Sequence, residues 1–74
     1  MANTVLDTSG MTCPIPVLKA KKAITGLKSG EVLEIIATDP GSVLDFEVFC
    51  SVSGHTLLSH RETAGVFRIE IQRT

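Results

Sequence analysis

The chain has 74 residues, with seven Lys and Arg against eight Asp and Glu, so its formal charge is −1. That length gives a single domain, 1–74, without room for a second core, and near-neutral charge argues against binding nucleic acid mainly through its phosphates. Hydrophobic residues at 43% and charged residues at 20% are ordinary globular usage, which excludes a disordered chain.

Thr4-Val5-Leu6-Asp7 reads as a short first strand, followed by a loop through Ser9-Gly10. From Pro16 to Leu27 the apolar residues Val17, Ala20, Ala23, Ile24 and Leu27 fall on one helical stripe. Lys19, Lys21 and Lys22 lie off it, and Lys28-Ser29-Gly30 is the exit turn. Glu31–Thr38 is a second strand whose Leu33, Ile35 and Ala37 make one apolar face, while Glu34 interrupts the other. Asp39-Pro40-Gly41-Ser42 breaks that strand and opens a second helix. Asp39 is a candidate cap there, and Ser42 with Asp45 three residues on resembles a capping box. Val43, Phe46, Phe49 and Cys50 share a face of this helix, and Ser53-Gly54 ends it. His55–Glu62 and Val66–Arg73 are two further strands, joined as a hairpin through Thr63-Ala64-Gly65. In the last, Phe67, Ile69 and Ile71 point one way and Arg68, Glu70 and Gln72 the other.

Strands with one polar face belong to a sheet covered on one side only. The expected fold is therefore α+β, a two-layer α/β sandwich in the order βαβαββ, with two helices on one face of a four-stranded mixed sheet. Helical crossovers make the first and second strands parallel, and likewise the second and third; the final hairpin is antiparallel. With three Phe and no Trp or Tyr, the core must be aliphatic.

The apolar runs are only a few residues long, so no membrane span is expected. Residues 1–12 hold no Lys, no Arg and no apolar h-region, so no secretory signal is read there. Two cysteines, Cys13 and Cys50, are too few for a disulfide scaffold. The chain is read as cytoplasmic, and as a monomer by itself.

Chemistry concentrates in Gly10-Met11-Thr12-Cys13-Pro14-Ile15-Pro16, which sets a cysteine directly before a helix. Pro14 biases Cys13 toward the β region, the conformation of a helix N-cap. With Cys13 as cap, Pro14 and Pro16 take N1 and N3, where backbone N–H groups lack partners anyway, and Ile15 supplies the N–H nearest the sulfur. Pro16 disfavours α geometry at Ile15, so regular helix is expected from Pro16. A thiol at a helix N-terminus meets the positive end of the macrodipole, which favours thiolate. A small apolar residue filling a loop gap is the plainer reading of Cys13, and the pattern alone does not separate the two.

Cys13-Pro14-Ile15-Pro16, followed by Val17-Leu18 and a Lys-rich helix, resembles the Cys-Pro-x-Pro signature of the TusA (SirA-like) sulfur-carrier family. The likeness includes Leu6-Asp7 before the motif and Ala37-Thr38-Asp39-Pro40-Gly41-Ser42, Asp45-Phe46, Phe49-Cys50 and Gly54-His55 after it. The resemblance implies a βαβαββ sandwich like the C-terminal domain of translation initiation factor 3. It also implies that Cys13 is the active cysteine of a sulfurtransferase-type carrier, supported by Pro14, Ile15 and Pro16. No cofactor is implied; the cargo is covalent persulfide sulfur on Cys13. A cysteine desulfurase or a rhodanese would be the donor and a DsrE-type protein the acceptor, with no direct nucleic-acid contact. The route would end in tRNA 2-thiouridine or serve dissimilatory sulfur oxidation.

Cys50, on an apolar stripe, is read as core, although a resolving thiol for Cys13 is its functional alternative. Cys50, His55 and His60 lack the second clustered pair of a metal site, so none is expected. Lys19 and Lys22, beside the proposed sulfur, are candidates with Leu18 for docking an acidic partner surface; a solvated helix face is the plainer reading. Leu44 and Val48, also off their stripe, extend that candidate patch. Two other functions fit the residues: a thiol redox or regulatory module, which the absence of C-x-x-C weakens, and a non-covalent RNA- or protein-binding module. The charge of −1 and the lack of Tyr and Trp weaken the RNA version.

Overall fold

The computed structural model describes residues 4–12 and 14–74. Its elements run β1 (Thr4–Thr8), α1 (Ile15–Thr25), β2 (Val32–Ala37), α2 (Ser42–Ser53), β3 (Thr56–Thr63) and β4 (Val66–Gln72). This is the expected βαβαββ order. The four strands form one mixed sheet in the spatial order β1-β2-β4-β3. β1 pairs with β2 in parallel, and β4 pairs antiparallel with both β2 and β3. β2 and β3 thus run in the same direction, as the crossovers require, with β4 inserted between them.

The core forms where the apolar strand faces meet the helices. Leu33, Ile35 and Ala37 of β2 and Ile69 and Ile71 of β4 are fully buried with Ala20 of α1 and Phe46 of α2; Ile24 and Cys50 complete the cluster. Burying each Leu, Ile or Phe side chain contributes about 1.5–3 kcal/mol, so this aliphatic centre drives the fold. On the uncovered face Arg68 stands 3.9 Å from Glu34. The Ser59 hydroxyl there donates to the Glu70 carboxylate at 3.0 Å.

Several boundaries differ from the expected ones. α1 starts at Ile15 and ends at Thr25, two residues short of Leu27. Its last carbonyls are taken by a distant residue: the Arg73 guanidinium donates to Ile24 and Thr25 O at 3.1 Å each, and to Leu27 O. The expected capping box of α2 does not form. Gly41 is the N-cap and Ser42 the first helical residue, with no side-chain cap bond. Asp39 works one step earlier, where its carboxylate accepts the Gly41 N–H at 2.8 Å and braces the turn into the helix. The Ser42 hydroxyl is buried and meets no hydrogen-bond partner among the described residues. β3 carries a register shift between Leu57, opposite Ile71, and Ser59, opposite Glu70, which leaves Leu58 bulged and 47% exposed. The hairpin turn is Ala64-Gly65, both with positive φ (52° and 81°), as a two-residue type I′ connection demands. No helix among the described residues is long and apolar enough to cross a membrane.

Candidate functional site

The C-terminal ends of the parallel strands β1 and β2 lie side by side, Thr8 opposite Ala37, and each strand feeds a helix. The segments that join strand to helix are therefore neighbours at one end of the sheet. Two hydroxyls fix them. Thr8, fully buried, donates from Oγ1 to the Ile36 carbonyl at 2.7 Å. The Thr38 hydroxyl accepts the Gly10 N–H at 2.8 Å, linking the segment before α1 to the segment before α2. Asp7 begins that first segment, and its carboxylate accepts the Ser9 N–H at 2.9 Å. Hydrogen bonds from the Ser9 side chain and amide hold the Asp7 carboxyl below the usual carboxylate range.

Cys13, the residue expected to carry the chemistry, lies outside the described residues. Its flanks are described, and they correct the expected cap. Pro14, not Cys13, is the N-cap of α1, with φ −96° and ψ 15°. Ile15 is N1 and Pro16 N2, and the Leu18 N–H closes the first turn on the Pro14 carbonyl at 3.1 Å. The Ile15 N–H, expected to face the sulfur, bonds the Thr12 carbonyl at 3.0 Å instead. Ile15 is helical despite the proline after it. Pro16 is buried, anchoring the start of the helix, while Ile15 stays 43% exposed. No acidic residue stands in the first turn of α1 to offset the positive end of its dipole.

The candidate docking residues separate into two places. Lys19 and Lys22 line an open groove between α1 and β1 together with Leu6, Ala23 and Gly26. Leu18 is not part of it and projects from the helix, 59% exposed. A second open groove, of about 300 Å³, runs between the start of α1 and the outer side of α2, lined by Pro14, Val17, Asp45, Val48, Phe49 and Val52. Val48 and Val52 at its rim are 55% and 83% exposed, and Leu44 nearby 66%. Sequence reasoning found Leu44 and Val48 but missed Val52 and this groove. Only packing of the two helices shows that Pro14 and α2 share a surface. Thr38 was likewise overlooked, because nothing in its local pattern announces a bond to a residue 28 positions earlier.

Cys50 is 6% exposed, and burial pushes its thiol above the ordinary range. It packs within the core cluster, as its stripe predicted. His55 packs against Phe49 with the rings tilted at 42° and their centroids 5.9 Å apart, and its Nδ1 accepts the Thr74 N–H. His60 lies away from both, beside Arg61 and Arg68 on β3 and β4. Among the described residues no three His, Cys, Asp or Glu side chains gather as a metal site.

The family model described as sulfurtransferase TusA matches residues 4–73. A sulfur carrier protein TusA of Allochromatium vinosum is 46% identical over 69 residues, covering 93% of this chain and 91% of that protein. A sulfur carrier protein TusA of Pseudomonas putida is 39% identical over 71 residues, covering 96% and 89%. The crystal structure of a SirA-like protein from Desulfitobacterium hafniense superposes with a TM-score of 0.83 at 28% identity, over 93% of this chain and 95% of that one. A match from the first described strand to the residue after the last one leaves no element of the fold outside it, and the chain belongs to the TusA sulfurtransferase family.

Proposed function

We propose that this chain is a sulfur carrier that holds sulfane sulfur as a persulfide on Cys13 and hands it to a partner protein. The observation that carries this reading is the near end-to-end match to proteins named sulfur carriers, on chains of nearly equal length. The residues around position 13 support it. A described helix begins two residues after Cys13 in the sequence, with Pro14 as its N-cap and its first turn free of acidic side chains, and N-terminal helix dipoles favour thiolate.

The chemistry needs one nucleophile. The Cys13 thiolate attacks the outer sulfur of a donor persulfide; a new S–S bond forms as the donor's S–S bond breaks, and the donor leaves as thiolate. An acceptor thiolate then attacks the outer sulfur of the Cys13 persulfide, taking that sulfur and releasing Cys13 as thiolate. No net oxidant is consumed, and each step depends on an accessible attacking thiolate and a good thiolate leaving group. Family resemblance supplies a cysteine desulfurase or rhodanese as donor and a DsrE-type protein as acceptor, in the cytoplasm. Leu18, Lys19 and Lys22 are assigned to partner docking. Burial of Cys50 disfavours the redox alternative, because a resolving thiol has to be reachable.

A sulfur chase tests the full reading. The chain is loaded from a cysteine desulfurase with sulfur-labelled cysteine, freed of donor, and mixed with a DsrE-type acceptor. Label moving to the acceptor, and absent with Cys13→Ser, is the expected result. Label that stays on the chain, or that loads Cys13→Ser equally, overturns it.

A further inference from the structure

β1 is an edge of the sheet, and among the described residues it pairs with β2 alone. An edge strand presents a row of backbone N–H and C=O groups on its free side, and proteins usually blunt such edges with Lys, Pro, a bulge or a covering segment. β1, Thr-Val-Leu-Asp-Thr, has no Lys or Pro, and its register with β2 is unbroken. Val5 is 57% exposed, and the strand's one charge is the carboxylate of Asp7, next to its C-terminal residue, which accepts the Ser9 N–H and stays ionised.

The groove between β1 and α1 lies beside this edge. Leu6 and Ala23 give it an apolar floor, Gly26 adds no side chain, and Lys19 and Lys22 stand along its wall. Both lysines are exposed, and among the described residues neither pairs with a carboxylate. Residues three apart on a helix are neighbours, with Cβ atoms about 5–6 Å apart. Same-face side chains on an extended strand repeat every two residues, about 6.6 Å. Two acidic side chains at alternate positions of an added strand therefore match the lysine pair.

We infer that the β1 edge and its groove receive an extended acidic segment of a partner protein, added to the sheet as a fifth strand. Main-chain bonds to β1 supply affinity. An acidic-x-acidic-x-apolar pattern supplies specificity, the acids on Lys19 and Lys22 and the apolar residue over Leu6 and Ala23. A second copy of this chain fits poorly. Antiparallel pairing of two β1 edges in a continuous sheet would put both α1 helices on the same side and bring Lys19 and Lys22 of each copy against the other's. The inference rests on the docking role given to Lys19 and Lys22 above but not on sulfur transfer.

The test is an NMR titration of the isotope-labelled chain with a capped synthetic peptide, Glu-Thr-Glu-Thr-Val-Thr, and with its Lys-for-Glu counterpart. The expected result is perturbation confined to residues 4–8 and 19–26, with β1 amide exchange slowed at saturation. The Lys peptide should bind at least about tenfold more weakly, and a Lys19→Glu/Lys22→Glu variant should reverse that preference. Three outcomes would overturn the inference: no perturbation of β1 at millimolar peptide, perturbation centred on the Val48–Val52 groove or the open sheet face, or sedimentation showing a dimer closed through β1. Sulfur loading of Cys13 is measured by mass on the same samples without peptide, so failure of the docking and failure of the carrier reading register separately.

Discussion

The Thr38 hydroxyl accepts the Gly10 N–H at 2.8 Å, so the segment leading to Cys13 is held by the segment leading to α2. Each segment follows one of the two parallel strands, and this bond ties them together at that end of the sheet. Replacing Thr38 with Val keeps the shape and removes the acceptor. We expect a loss of about 1 kcal/mol in stability and faster exchange of the Gly10 amide, with Thr38→Ser restoring both. Hydrogen exchange at Gly10 checks this; an unchanged rate in Thr38→Val would contradict it.

Arg73 joins the far end of the chain to α1. Its guanidinium serves the Ile24, Thr25 and Leu27 carbonyls, while its backbone N–H bonds the Glu31 carbonyl at 2.9 Å. Positive charge on orphan carbonyls at a helix C-terminus is favourable both as hydrogen bond and against the dipole. Arg73→Ala should cost about 1–2 kcal/mol, read as a lower urea midpoint, and Arg73→Lys should recover part of it, because one terminal nitrogen makes all three bonds and an ammonium keeps the charge at the helix end.

These two ties show why the fold was more legible than its fine structure. Strand and helix identities followed from the spacing of Leu33, Ile35 and Ala37 and of Phe67, Ile69 and Ile71, whose periodicity is local and strong. The end of α1 did not, because it depends on Arg73, 46 to 49 residues away in sequence. The α2 capping box failed because Asp39 braced the turn one residue earlier and made Gly41 the cap. At the site, Pro14 and Pro16 were readable as helix-start residues, but the bond from the Ile15 N–H to the Thr12 carbonyl and the cap at Pro14 are backbone choices no side chain announces. Lys19 and Lys22 were readable as a pair; that they face β1 while Leu18 does not required the sheet to be in place.

Ala64 is the one non-glycine residue with positive φ among those described, at the first turn position of the β3–β4 hairpin. Left-handed geometry costs a residue with a Cβ about 1–2 kcal/mol, and Asn carries less of that cost. Ala64→Asn should therefore raise stability by about 0.5–1 kcal/mol, equivalent to a melting temperature several degrees higher for a domain of this size. Calorimetry decides it, and a lower melting temperature would show that the turn is not type I′ in solution.

Burial raises the folded-state pKa of the Cys50 thiol, so the folded protein prefers the neutral form. The sign follows: this contribution to stability is complete below the unfolded thiol value of about 8.5 and is lost as pH rises toward the higher folded value. Alkylation of the native protein at neutral pH should add one label, at Cys13, and a second only in denaturant. Prompt labelling of Cys50 in the native state would contradict its place in the core and revive a resolving role for it.

The most direct test of the carrier reading is intact-mass spectrometry after incubation with a cysteine desulfurase and cysteine, or with a rhodanese and thiosulfate. The account predicts one added sulfur that reductant removes, retained in Cys50→Ala and absent in Cys13→Ser. No added sulfur from either donor, on folded protein with Cys13 reduced, or equal loading of Cys13→Ser, would contradict it.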